Sequence, residues 1–284
     1  MSGELTLGAV AYDPKVVTIW DGFRGWLRRQ GLPFDYLLYS HYERQAEDLV
    51  AGRIQLAWNS PLAWVRARRL AAAAGVTLVP VTMRDTDCDL TSVIVTRDDA
   101  PVHSAADLRG RVVATGAVDS PQATLLPLSL LRGMGLRPGA DVRVRRFDIG
   151  VGLHGDHIGG EREAARSLAT GQADAACMTD ANLLLFTREG VLPESVRVIA
   201  QTPPYDHCTM TAGPGADSAV TARFGELLFG MSYADPELRP LLDLEGLKAW
   251  QPPRLEGYQQ LERAVDESGF YDAAGGIGAG DYRP

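Results

Sequence analysis

Three expected strand-to-helix junctions of this sequence place a capping side chain directly before a proline: Asp13-Pro14, Ser60-Pro61 and Ser120-Pro121. Asp and Ser accept hydrogen bonds from the first free amides of a helix. Proline suits the first helical position because the N–H it lacks would have no partner there. Each pair therefore predicts a helix start. The opening N–H groups of a helix have no internal acceptor and carry partial positive charge, so such a start also receives anions. A serine hydroxyl can cap and still donate its own proton, which makes Ser60 and Ser120 candidate anion contacts. Asp13 is itself negative and is read as a cap alone.

A second set of residues offers imidazole, thiol and carboxylate groups. His154 and His157 lie in a glycine-rich loop, His207-Cys208 form a pair, and Asp85, Asp87, Cys88 and Asp89 lie close together. These groups are metal ligands or acid/base catalysts. His154, His157 and His207 are candidate catalytic residues. Cys88, His154, His157 and Cys208 are candidate ligands for a metal such as iron or zinc. The competing reading is a set of loop residues shaped around a ligand, since no His-Glu-x-x-His or Cys-x-x-Cys spacing is present. Cys177 sits in an apolar run and reads as core. His41 and His103 read as surface residues. The stretch Gly150-Val-Gly152-Leu-His-Gly155 matches a dinucleotide fingerprint by letter. However, further loop residues intervene before any helix, and the run before it (142–147) carries three arginines, so that function is rejected.

The formal charge of −8 opposes nucleic acid and anionic lipid as partners. An anion bound here must be held by local donors against the overall field. Three cysteines without regular spacing do not make a disulfide framework, and they fit a reducing compartment. The first ten residues lack the basic and apolar regions of a leader, so a cytoplasmic location is expected, or a periplasmic one if a leader has been removed. No run approaches the roughly 18 apolar residues of a membrane span, so membrane insertion is not expected.

Apolar runs alternate with helical periodicity from Leu5 onward, which predicts strand–helix alternation and mostly parallel sheets covered by helices. Strands are expected near 5–10, 34–39, 54–58, 76–82, 90–96, 111–115, 142–149, 173–178, 196–200 and 207–211. Helices fall between them, including one over 121–134, and three more occupy about 218–231, 236–242 and 255–267. The glycine-rich end, 275–284, reads as a loose tail. A chain of 284 residues suits two domains. The expected division is a discontinuous first lobe, 1–96 plus 200–284, and an inserted second lobe, 97–199, joined by two hinge crossings. Trp58, two residues before Ser60 at a strand end, is a candidate ligand contact.

Several segments, taken in order, resemble the phosphonate/phosphite-type substrate-binding proteins of ABC transporters. They are YERQAEDLVAGRIQLAWNSPLAW (42–64), LTSVIVTR (90–97), SAADLRGR (104–111), DSPQAT (119–124) and GQADA (171–175). The resemblance spans about 5–270. It implies a two-lobed α/β fold of the type II periplasmic-binding-protein kind, closing around a ligand. It also implies an oxyanion cradle at Ser60 and at Ser120 to Thr124, with Tyr12 and Tyr42 lining the cleft, and Ser92 and Gln122 fall within the matching segments. The 119–124 segment carries fewer hydroxyls than the family pattern, so a carboxylate could replace the phosphonate.

Two functions stay open, beside a third in which the chain is a sensor that reports its ligand to a partner. One is capture of a small anionic molecule in an interlobe cleft, with an ABC permease as partner if the chain is exported. The other is a cytosolic enzyme on the same fold, of the decarboxylase, lyase or cofactor-biosynthesis type, using the cleft histidines and cysteines with or without a metal.

Overall fold

The protein is described by a computed structural model covering residues 4–284. In chain order the first elements are β1 (Leu5–Val10), α1 (Lys15–Arg29), β2 (Phe34–Tyr39), α2 (Tyr42–Val50), β3 (Leu56–Asn59), α3 (Pro61–Ala74) and β4 (Val79–Arg84). Next come β5 (Ser92–Arg97), β6 (Val112–Thr115), α4 (Leu126–Gly133), β7 (Arg143–Arg146), α5 (Gly159–Ala169), β8 (Ala175–Thr179), α6 (Asp180–Arg188) and β9 (Val196–Gln201). The chain ends with β10 (Thr209–Ala212), α7 (Ser218–Phe229), α8 (Arg239–Glu245), β11 (Trp250–Gln251) and α9 (Gln259–Ser268).

These elements form two compact units. The first comprises Met1–Cys88, Asp206–Tyr258 and Tyr271–Gly276, and the second Asp89–Tyr205, Gln259–Phe270 and Ile277–Pro284. Thus β5 and β9 belong wholly to the second unit, and α9 and the last eight residues join it as well. The reason for α9 is its apolar stripe, Leu261, Ala264 and Val265, which is buried. The tail is not loose. Tyr282 is 1% exposed, and its ring centre lies 4.9 Å from that of Phe270.

The first unit is built on a six-stranded sheet in the order β11-β4-β10-β3-β1-β2. Strands β1, β2 and β3 run parallel, whereas β10 is antiparallel to both β3 and β4. Helix α1 covers this sheet because Val16, Ile19, Trp20, Phe23 and Leu27 recur at helical spacing and are all buried. Trp20, Phe23, Phe34, Trp58, Phe224 and Trp250 share the resulting core.

The second unit has a five-stranded sheet, β7-β6-β8-β5-β9. Its centre is parallel at β7-β6-β8, while β5 is antiparallel to β8 and β9. Each sheet is therefore mixed. In each, the antiparallel strand placed inside the order is the first strand formed after the chain passes from the other unit. The arginines of β7 are tolerated because that strand lies at the sheet edge, where Arg143 and Arg145 reach solvent.

The single helix expected over 121–134 is divided. Residues Pro121–Leu125 form a wide π turn, and regular α4 begins only at Leu126. Pro127 has no N–H to give to an earlier carbonyl, so the regular ladder cannot run through this point.

Candidate functional site

In the second unit, β6 ends at Thr115 and the chain turns through 116–119 to the cap residue Ser120. The turn is tight: a Cβ on Gly116 would lie 2.9 Å from the Ala123 Cβ. Ser120 Oγ accepts from Ala123 N at 3.1 Å, which is the cap expected from the sequence. Among the described residues the Ser120 hydroxyl donates to nothing, although the residue is 1% exposed. Thr124 Oγ1 donates to Ala117 O at 2.8 Å, so its proton is used inside the turn.

The loop after β7 folds against this helix start. Gly150, Gly152 and Gly155 hold positive φ, and so does His154 at 50°. A side-chain-bearing residue rarely adopts that backbone, and Asp119 holds it in place. Asp119 Oδ2 accepts from Gly152 N at 2.7 Å and from His154 N at 3.1 Å. Gln122 Nε2 donates to Gly155 O at 2.8 Å. Gly155 is required here because a Cβ would lie 2.5 Å from both Ser120 Oγ and Gln122 Nε2. Asp119 Oδ1 and Gln122 Oε1 are buried with no hydrogen-bond partner among the described residues. Burial pushes the Asp119 carboxyl above the usual carboxylate range, against the pull of His154 and the two loop amides.

The two loop histidines differ. His154 is fully buried, with Nε2 3.4 Å from the Tyr282 hydroxyl. His157 is exposed, and its Nδ1 accepts from Gly159 N at 3.2 Å. Ser92, also in this unit, is buried on β5 and shares a 2.8 Å hydrogen bond with the Tyr205 hydroxyl.

The first unit carries a comparable helix start. Ser60 is fully buried and accepts from Ala63 N at 3.1 Å, capping α3. Asn59 precedes it at the end of β3, and Gln45 Nε2 donates to Asn59 Oδ1 at 3.1 Å and to Trp58 O at 3.0 Å. Two donors next to this cap, Asn59 Nδ2 and Trp64 Nε1, are buried and have no acceptor among the described residues. Tyr42 is buried at the start of α2, and Tyr12 is half-buried, with Lys15 Nζ 5.9 Å from its ring centre. Trp58 packs as core: its ring meets Trp250 edge-on at 5.8 Å, and the Arg84 guanidinium sits 5.2 Å over it.

The residues named as metal ligands are divided between the two units. Cys88 and Cys208 belong to the first unit, and His154 and His157 to the second. Cys88 Sγ contacts Arg84 O at 3.6 Å. Cys208 and His207 instead lie beside Asp87, which the sequence offered as one acidic residue among three nearby. Cys177 is core, with burial pushing its thiol strongly up.

Sequence reasoning passed over Asn59, Asp119 and Gly155 as functional residues. Asn59 could have been noticed as an amide closing the otherwise apolar run 56–58. No local pattern marks Asp119 and Gly155, because the loop they join lies about 30 residues further along the chain.

The family model described as "ABC transporter, phosphonate, periplasmic substrate-binding protein" matches residues 9–258. No curated protein sequence matches the chain. Among solved structures, PhnD1 from Prochlorococcus marinus in complex with methylphosphonate is 15% identical, with a TM-score of 0.67 over 93% of this chain and 98% of that one. XAC2383 from Xanthomonas citri, solved bound to ATP, is 19% identical, with a TM-score of 0.70 over 94% and 98%. The periplasmic aliphatic sulphonate binding protein SsuA from Escherichia coli is 20% identical, with a TM-score of 0.62 over 95% and 94%.

Proposed function

This chain belongs to the phosphonate periplasmic substrate-binding protein family of ABC transporters, and on that premise we propose that it captures a small oxyanion, with a phosphonate- or sulphonate-type head group, through the helix starts at Ser60 and Ser120. Its two α/β units have the type II periplasmic-binding-protein fold.

One observation supports the reading most directly. Each unit has a family-matching helix start beside which a buried donor goes unused: the Ser120 hydroxyl in one, and Asn59 Nδ2 with Trp64 Nε1 in the other. A buried donor without an acceptor costs roughly 1–3 kcal/mol, so such groups persist where a ligand satisfies them. An oxyanion offers only acceptors and meets that need. The unpartnered Gln122 Oε1 asks for the opposite, a hydrogen on the ligand, and a singly protonated phosphonate offers one.

Isothermal titration with methylphosphonate, an aliphatic sulphonate and ATP tests the reading. The expected result is one tight site for one of these classes, with the ligand recovered unchanged. Ser120→Ala and Asn59→Ala each weaken it by about 10- to 100-fold, the usual worth of a hydrogen bond to a charged group. Unchanged affinity in both variants would sink the assignment, and chemical conversion of the ligand would return the enzyme reading. The same proposal gives the protein an ABC permease as partner.

A further inference from the structure

The first unit contains a second cluster that the anion reading does not use. Asp87 ends a short helical turn, Asp85–Asp87, that follows β4, and His207 and Cys208 directly precede β10. His207 Nδ1 lies 3.1 Å from Cys208 Sγ and 3.4 Å from Asp87 Oδ1, and all three ligand atoms fall within 4.8 Å of one another. The backbone fixes this grouping. His207 N donates to Asp87 O at 2.8 Å, Cys208 N donates to Asp87 Oδ1 at 3.2 Å, and the Tyr258 hydroxyl donates to His207 O at 2.9 Å.

An arginine and two carboxylates surround this cluster. The half-buried Arg84 guanidinium pairs with Asp87 through Nε–Oδ2 at 2.6 Å and Nη2–Oδ1 at 2.9 Å, and with Glu245 Oε1 at 3.3 Å. An imidazole nitrogen, a thiol sulfur and a carboxylate oxygen thus stand together, with the sulfur and the nitrogen at hydrogen-bond distance. A divalent ion that takes this place displaces the proton shared between sulfur and nitrogen, so its binding releases a proton.

We propose that Asp87, His207 and Cys208 hold a divalent cation of the zinc class. One nitrogen, one sulfur and one oxygen donor suit a borderline ion in a tetrahedral site, where ligand atoms stand roughly 3.3–3.6 Å apart given metal–ligand bonds of about 2.0–2.3 Å. Three protein ligands leave the fourth position to water, reached past His207, the one member of the trio that is not fully buried. Arg84 fixes the carboxylate plane by donating to both of its oxygens. The ligands come from the stretch just before the chain leaves this unit at Cys88 and the stretch just after it returns at Asp206. The ion therefore ties the outgoing passage to the incoming one and steadies both.

The test uses the whole protein, stripped with a chelator and titrated with Co2+ as the probe. The expected outcome is one Co2+ per chain with a thiolate-to-cobalt absorption band, displaced by Zn2+, and a melting temperature that Zn2+ raises by several degrees. Cys208→Ser removes the band, His207→Ala weakens binding by about 100-fold, and Cys88→Ser changes neither. Circular dichroism of each variant confirms that it is folded. Absence of cobalt uptake at millimolar Co2+, or a band that survives in Cys208→Ser, overturns the proposal. Oxyanion titration of the same stripped protein is a separate readout, because Ser60, Asn59 and Ser120 are not among the ligands.

Discussion

Asp87 is a residue whose ionisation the fold depends on. Burial alone would raise its carboxyl, but the charge and paired hydrogen bonds of Arg84 outweigh burial and hold it well below the usual range. A carboxyl depressed on folding stabilises the native state fully above its unfolded value of about 4, and that contribution disappears as pH falls through the lower native value. Chemical denaturation below about pH 4 should therefore show a loss of stability that is smaller in Asp87→Ala. At neutral pH the same substitution removes the paired hydrogen bonds of Arg84, leaves it Glu245 alone, and should cost about 1.5–3 kcal/mol. Asp119 behaves in the opposite sense. Its raised carboxyl costs stability at neutral pH, and that cost is relieved as pH falls through the raised native value. At this scale the sequence is legible where chemistry is local. Ser60 and Ser120 cap the helices expected of them because a cap acts over three residues. Trp58 was not legible: its position at a strand end resembles a ligand contact, yet the opposing Trp250, nearly two hundred residues away, makes it core.

At the scale of elements, the loop Gly150–His157 and the turn Pro121–Leu125 act as one piece, joined through Asp119 and Gln122. Gly155→Ala should break that piece, because the new Cβ meets Ser120 Oγ and Gln122 Nε2 at 2.5 Å and the backbone holds φ of +79°. We expect a stability loss of at least about 1–2 kcal/mol from the backbone conformation alone. Oxyanion affinity in the titration assay should fall more than it does for Ser120→Ala, because the whole turn shifts. The strand–helix alternation was readable from periodicity, which is a property of each segment by itself. Strand direction was not: β5 and β10 are antiparallel because of where the chain re-enters each sheet, and no run of residues encodes that. The packed tail was hidden for a similar reason, since Tyr282 finds its place only through Phe270 and the loop bearing His154.

For the molecule as a whole, the charge of −8 opposes the ligand proposed for it. An anion then approaches against a repulsive field and is held only by short-range donors. Its association rate should rise as ionic strength increases from about 10 to about 150 mM, the reverse of an attracted ligand, and stopped-flow mixing measures this directly. A permease partner requires the folded chain on the outer side of the inner membrane. Fractionation of the native host decides between that location and the cytoplasmic one expected from the sequence.

The chain passes between its units at Cys88, Tyr205, Tyr258, Phe270 and Gly276. Neither unit is a continuous stretch of polypeptide, and neither can be cut free by a single cleavage. A nick between Tyr205 and Asp206 would leave β10 hydrogen-bonded between β3 and β4. Fragments seen on a denaturing gel would still elute together under native conditions, and the nicked protein should still bind its ligand.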